Sequence, residues 1–106
     1  MLEIKQFTFQ NAASAAGTGE VLNNEQGSSL TVVVTGTFTA DVTMQGRLAA
    51  EWFDLAVVNL KTLEVSDKIS EEGAFAVAGV DGFEAIRANI TSFTSGDVSV
   101  VGRLVF

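Results

Sequence analysis

Apolar and polar residues alternate with a period of two along much of the chain. Leu30, Val32, Val34 and Phe38 fall on one face of residues 30–38, and Thr31, Thr35 and Thr37 on the other. This is the pattern of an antiparallel strand with one face buried and one solvated. Thr39-Ala40-Asp41 follows as a turn, after which Val42, Met44 and Leu48 alternate with Thr43, Gln45 and Arg47. The two runs predict a β-hairpin. A second hairpin is predicted near the C-terminus. Ile86, Ala88 and Ile90 share one face of its first strand, Thr94-Ser95-Gly96-Asp97 forms its turn, and Val98, Val100 and Leu104 share one face of its second. Gly96 supplies the positive φ that a tight turn requires.

Further strands are expected elsewhere. Residues 2–9 form one, and residues 20–22 a short one. Residues 52–58 are almost continuously apolar, Leu63, Val65 and Ile69 alternate with Thr62, Glu64 and Lys68, and Phe75 and Val77 alternate with alanines. Residues 10–19 are small and polar and read as a loop, with a single helical turn at 12–16 as the competing reading. Gly79-Val80-Asp81-Gly82 is a turn. Eight or nine strands and no long helix predict an all-β fold, a single antiparallel β-sandwich of jelly-roll type filling residues 1–106 as one domain.

The two hairpin regions also resemble each other. Asp41-Val42-Thr43-Met44-Gln45-Gly46-Arg47-Leu48 lines up with Asp97-Val98-Ser99-Val100-Val101-Gly102-Arg103-Leu104, 56 residues on. The same offset matches Leu30 with Ile86 and Val34 with Ile90. An internal pseudo-repeat and convergence on a common strand pattern both account for it.

Composition narrows the chemistry. The 106 residues contain no His, Cys, Pro or Tyr. Disulfides, thiolate nucleophiles and zinc–thiolate sites are therefore excluded, and the commonest general base is missing. Six Lys and Arg against thirteen Asp and Glu leave a net charge of −7, and no two cations are adjacent in sequence. Phosphate backbones and anionic membranes call for a basic face, so neither nucleic acid nor membrane is expected as a partner. No apolar run approaches the ~20 residues of a membrane helix, and Met1-Leu2-Glu3-Ile4-Lys5 does not read as a signal peptide.

The remaining candidates for catalysis read as surface residues. Ser66 and Lys68 lie on a short alternating strand, and Glu51 with Asp54 and Glu71 with Glu72 lie near strand ends. No calcium loop or phosphate-binding glycine loop is present. The expectation is a protein that is not an enzyme and carries no cofactor or metal. Trp52, the only tryptophan, has two readings: core filler, the commoner fate, or a surface residue at a strand start that stacks on a sugar. The eight phenylalanines read as core or inter-subunit packing. Trp52 and Phe106 are the two candidates for an interface or glycan contact.

One ordered set of segments resembles a known family. It runs through Gly17-Thr18-Gly19, Val21-Leu22, Leu30-Thr31-Val32-Val33-Val34, Gly36-Thr37-Phe38 and Val42-Thr43-Met44-Gln45-Gly46. It continues through Trp52, Asn59-Leu60-Lys61-Thr62, Phe75-Ala76-Val77-Ala78-Gly79, Ile86-Arg87-Ala88-Asn89-Ile90 and residues 94–102. In this it is similar to the small β-sandwich domain of structural proteins of tailed bacteriophages and prophages. Ala49-Ala50-Glu51 departs from the Gly/Asp-containing turn usual there. The resemblance implies a capsid decoration, head-fibre, tail or baseplate accessory protein, made in the host cytoplasm and located in the virion. It implies binding to capsid or tail proteins and self-association, with a trimer expected from the symmetry of such particles. It carries no catalytic residues. The competing reading is a carbohydrate-binding module that recognises a host-surface glycan through Trp52.

Overall fold

The computed structural model describes residues 4–24 and 27–105. Ten strands run along them: β1 (Ile4–Ala13), β2 (Val21–Asn23), β3 (Ser29–Thr35), β4 (Phe38–Leu48), β5 (Glu51–Asp54), β6 (Val57–Asn59), β7 (Val65–Ser66), β8 (Gly73–Val77), β9 (Ala85–Gly96) and β10 (Val98–Val105). A single 3₁₀ turn, Val80–Gly82, precedes β9. The strands form two antiparallel sheets, ordered β1-β10-β3-β8-β6-β7 and β2-β9-β4-β5. β1 pairs with β10, β2 with β9, β3 with β8 and β4 with β5, while β10·β3 and β9·β4 complete the sheets. That neighbour order is a jelly roll, to which β6 and β7 add an extension beyond β8. The inner faces meet over a core that includes Phe9, Leu30, Val34, Met44, Ile90 and Leu104, each at most 2% exposed.

Neither expected hairpin forms. β3 and β4 lie in different sheets, and so do β9 and β10. The predicted turn at 39–41 lies inside β4, and the true bend is at Gly36-Thr37. β3–β4 and β9–β10 instead make one long antiparallel ribbon folded across the sandwich. Thr35 faces Ser99 in the larger sheet and Phe38 faces Gly96 in the smaller, so the frame is kept through the bend. There the Asp97 N–H donates to the Thr37 carbonyl at 3.1 Å. Gly36 and Gly96 have φ of 117° and 94°, and a Cβ on either would collide with the carbonyl oxygen of Asp97 or Thr37 on the opposite strand. Alternation reports which face is buried but not which strand lies alongside. Leu30, Val32 and Val34 and then Ala40, Val42 and Met44 keep the same parity across the bend, so corner and hairpin leave one signature.

The 56-residue correspondence has a structural counterpart in its glycines. A Cβ on Gly46 would lie 2.5 Å from the Phe83 ring, and one on Gly102 2.7 Å from the Phe9 ring. Each glycine leaves room for an aromatic ring, Phe9 in the core and the half-buried Phe83 packed against it. The correspondence ends at Leu48, which is 48% exposed where Leu104 is fully buried.

Other differences follow from strands changing sheets. The apolar run at 52–58 is not one strand. It breaks at Leu55-Ala56, where Leu55 N–H bonds to Met44 O and Ala56 O accepts from Ala78 N–H, sending β5 to one sheet and β6 to the other. This break takes the count past the eight or nine strands expected. Ile69 is buried but only bridges Val42 by two backbone hydrogen bonds, while Leu63 sits in a turn at positive φ and is 72% exposed. Residues 10–13 continue β1 through two register shifts, so no helical turn forms at 12–16. Of the phenylalanines, Phe9 and Phe75 are buried and Phe53 is 45% exposed. Phe106 and residues 2–3 lie outside the described residues.

Truncating the inner face should be costly and truncating the outer face should not. Val34→Ala or Ile90→Ala is expected to lose about 1–4 kcal/mol. Thr31→Ala and Thr35→Ala, on the exposed face of β3, should stay within about 0.5 kcal/mol. Urea denaturation of the four variants checks this, and equal losses on both faces would contradict the strand phase.

Candidate functional site

The outer face of the smaller sheet gathers residues that are far apart in sequence. β4 and β5 join through Ala49-Ala50, placing Arg47 opposite Trp52 and Gln45 opposite Asp54. β9 lies on the other side of β4 and sets Arg87 opposite Gln45, while β2 sets Val21 opposite Arg87. Cross-strand partners share a face. Val21, Arg87, Gln45 and Asp54 therefore form a row across all four strands, with Arg47 and Trp52 beside it.

Trp52 does not fill the core. It lies half-buried on this outer face, because its neighbour Phe53 takes the inward parity of Gly46. Arg87 Cζ lies 4.0 Å from the Trp52 ring centroid and Arg47 Cζ lies 5.6 Å away. Both are within the range of cation–π attraction, which is about 0.5–1 kcal/mol at an exposed site and more when desolvated. Arg87 Nε–H donates to Gln45 Oε1 at 2.8 Å, and Gln45 Nε2 donates to Asp54 Oδ1 at 2.8 Å. Arg47 Nε sits 3.7 Å from Glu84 Oε1 on an exposed rim, a contact of little energetic weight. The indole thus lies against guanidinium, and Arg87, Gln45 and Asp54 are joined in one hydrogen-bonded chain.

The layer beneath is fixed by buried polar contacts. Asn24, 4% exposed, donates from Nδ2 to the carbonyls of Val80 and Phe83 at 2.6 and 3.1 Å and accepts from Gly27 N–H. This anchors the 3₁₀ turn and seats Phe83 over Gly46. Gln10 similarly donates to Ala88 O at 2.7 Å, under β9.

The other candidates are not drawn together. Ser66 Oγ accepts from the backbone N–H of Lys68 at 3.3 Å, a turn contact between two exposed residues. Glu51 and Asp54 are three positions apart on one strand and so point to opposite faces. Glu71 and Glu72 are adjacent and exposed. Among the described residues no group of three acidic side chains is placed to hold a metal ion. The sequence singled out Trp52, and Asp54 only as a carboxylate paired with Glu51, but missed Arg87 and Gln45. Their signal was polar residues at the outward parity of β4, β5 and β9, which becomes a site only once β9 is known to lie against β4.

The model of one protein family, XepA, matches residues 3–104. Two solved structures share the fold. The SPBc2 prophage-derived protein YomS is 21% identical with a TM-score of 0.89, over 100% of this chain and 96% of that one. The PBSX exported protein XepA is 25% identical with a TM-score of 0.93 over 99% of this chain, which spans only 38% of its length. No curated protein matches.

The turn that carries Trp52 is strained. Ala49 and Ala50 have φ of 54° and 65°, the left-handed pair that a two-residue hairpin of type I′ demands and that Asn-Gly adopts readily. Relief of about 1–2 kcal/mol per left-handed residue, less about 0.5–1 kcal/mol for glycine's greater freedom when unfolded, predicts that Ala49→Asn with Ala50→Gly stabilises the fold by roughly 1 kcal/mol or more. Denaturant midpoints measure it, and Trp52 emission should stay the same.

Proposed function

The chain belongs to the XepA family, and on that premise we propose that it is a non-enzymatic structural protein of a phage or prophage particle. In this reading it decorates a capsid or head fibre, or serves as a tail accessory, and acts by binding copies of itself and other particle proteins. Its prophage-derived relatives support the source. The observation that carries the protein-binding reading is the outer face of the larger sheet. An exposed antiparallel face is ordinarily polar. Here Val33, 45% exposed, lies between Val101 and Ala74, and Val65, 69% exposed, continues through Val58 to Ala76. Ile4 flanks Val105 at the far edge. Arg103 is the one charged side chain on these rows. Arg103 and Thr31 separate Ile4 and Val105 from the rest, but Val101, Val33, Ala74, Ala76, Val58 and Val65 are neighbours, and apolar surface of this kind is covered when proteins associate.

Glycan stacking has less support, because the Arg87 guanidinium already lies against one face of the indole, which leaves a sugar only the other. The dispersed carboxylates support a non-catalytic role.

Two measurements test the proposal. A charge of −7 per copy opposes association at low salt, whereas apolar burial persists when salt screens that repulsion. Sedimentation should therefore show an oligomer that strengthens as salt rises, and Val33→Lys should weaken it without unfolding the monomer. An 11.1 kDa monomer at high salt and high concentration, with no binding to capsids or tails, would overturn the proposal. Likewise, purified protein should turn over no polysaccharide. Turnover abolished by Glu51→Ala or Glu72→Ala would contradict the non-enzymatic assignment.

A further inference from the structure

We propose that Arg87, held against Trp52 on the outer face of the smaller sheet, is a docking site for a carboxylate side chain of a partner protein. In a chain with thirteen acidic residues and six basic ones, a half-buried arginine would be expected to have an acidic neighbour. Among the described residues the only ion pair is Arg47 with Glu84. Asp54, in the same row, instead accepts from Gln45. Arg87 donates its Nε–H to Gln45 Oε1, and among the described residues its two Nη groups have no acceptor.

The guanidinium is also pre-positioned. Its Cζ lies 4.0 Å from the Trp52 ring centroid, and the Gln45 hydrogen bond sets its rotation about that contact. A fixed fork of parallel N–H donors matches the two oxygens of a carboxylate. Val21, 42% exposed, stands directly across from Arg87 on β2 and gives the fork an apolar rim. A tryptophan and an arginine beside such a rim is the usual composition of a binding hot spot. A saccharide carboxylate is the weaker fit, because the guanidinium lies against one face of the indole, so a sugar stacked on the opposite face would hold its carboxylate away from the fork. The net charge of −7 opposes every anion in proportion to its charge, so a single carboxylate at the fork is favoured over a polyphosphate. The occupant is therefore an Asp or Glu side chain on a protein, and the inference rests on the protein-binding reading above.

The probe is a blocked tetraglutamate peptide, compared with its tetraglutamine counterpart, free glucuronate and inorganic phosphate. The readouts are the emission of Trp52, the sole tryptophan, and the NMR resonance of the Arg87 Nε–H. The glutamate peptide should give a saturable change in both that weakens with salt, while the glutamine peptide gives none. Arg87→Gln should abolish the response, and Arg87→Lys, which keeps the charge but loses the fork, should weaken it about tenfold or more. If circular dichroism shows that Arg87→Gln does not fold, Arg87→Lys decides. An equal response to tetraglutamine, a response retained in the Arg87 variants, or saturation by glucuronate or phosphate at lower concentration than by the peptide would overturn the site. Sedimentation of the same samples separates the two readings. Intact self-association without a peptide response overturns only the docking site, whereas a peptide response from a strict monomer supports the site and overturns self-assembly.

Discussion

The ribbon formed by β3–β4 and β9–β10 holds the molecule together. It contributes the two central strands to the smaller sheet and two interior strands to the larger one, so both are built outward from one folded pair. The fold across the sandwich depends on Gly36 and Gly96, which let the opposed backbones pass where a Cβ would collide with a carbonyl. With the bend made, residues of one parity face inward in both sheets, and a single alternating pattern fills one core. β1, β2, β5 and β8 then add to edges the ribbon has already aligned.

The same ribbon explains why the outer faces differ. On the smaller sheet, β4 and β9 bring Gln45 and Arg87 into register, and β5 adds Trp52 and Asp54, producing a row of mutually restrained polar and aromatic groups. On the larger sheet, β3 and β10 present Val33 and Val101, with alanines on β8 alongside. One face offers orientation-specific donors and the other offers area. In the proposed particle role, the first would serve to choose partners and the second to hold them.

Much of this was legible in the sequence, within a definite limit. The buried parity of residues 30–34, 42–44, 86–90 and 98–104 can be read directly, because burial alone imposes it, and an all-β sandwich follows. What could not be read is lateral partnership. A hairpin and a corner share the same alternation, so residues 36–37 and 96–97 look like ordinary turns. The split at Leu55-Ala56 is hidden because Trp52 and Phe53 before it and Val57 and Val58 after it are all apolar, although β5 has no buried residue and Val57 is fully buried. For the same reason Trp52 could be singled out by type but not assigned to a face. Its parity depends on the hairpin at Ala49-Ala50, where two alanines hold a conformation that glycine or asparagine usually signals. Arg87 could not be linked to it without the β4·β9 pairing.

The register of the ribbon also governs how the chain reaches this fold. Thr35 meets Ser99 and Phe38 meets Gly96, so the central pairings join residues about sixty positions apart in sequence, and neither strand of the ribbon has its main partner close by. Loop-closure entropy must be overcome before any of these contacts is rewarded, which is the condition for slow folding in chains dominated by non-local pairing. Because both sheets share the ribbon, neither is complete without it. The sandwich should form and be lost as one cooperative unit, with the intervening segment of β5 to β8 adding to a frame set by its two flanks.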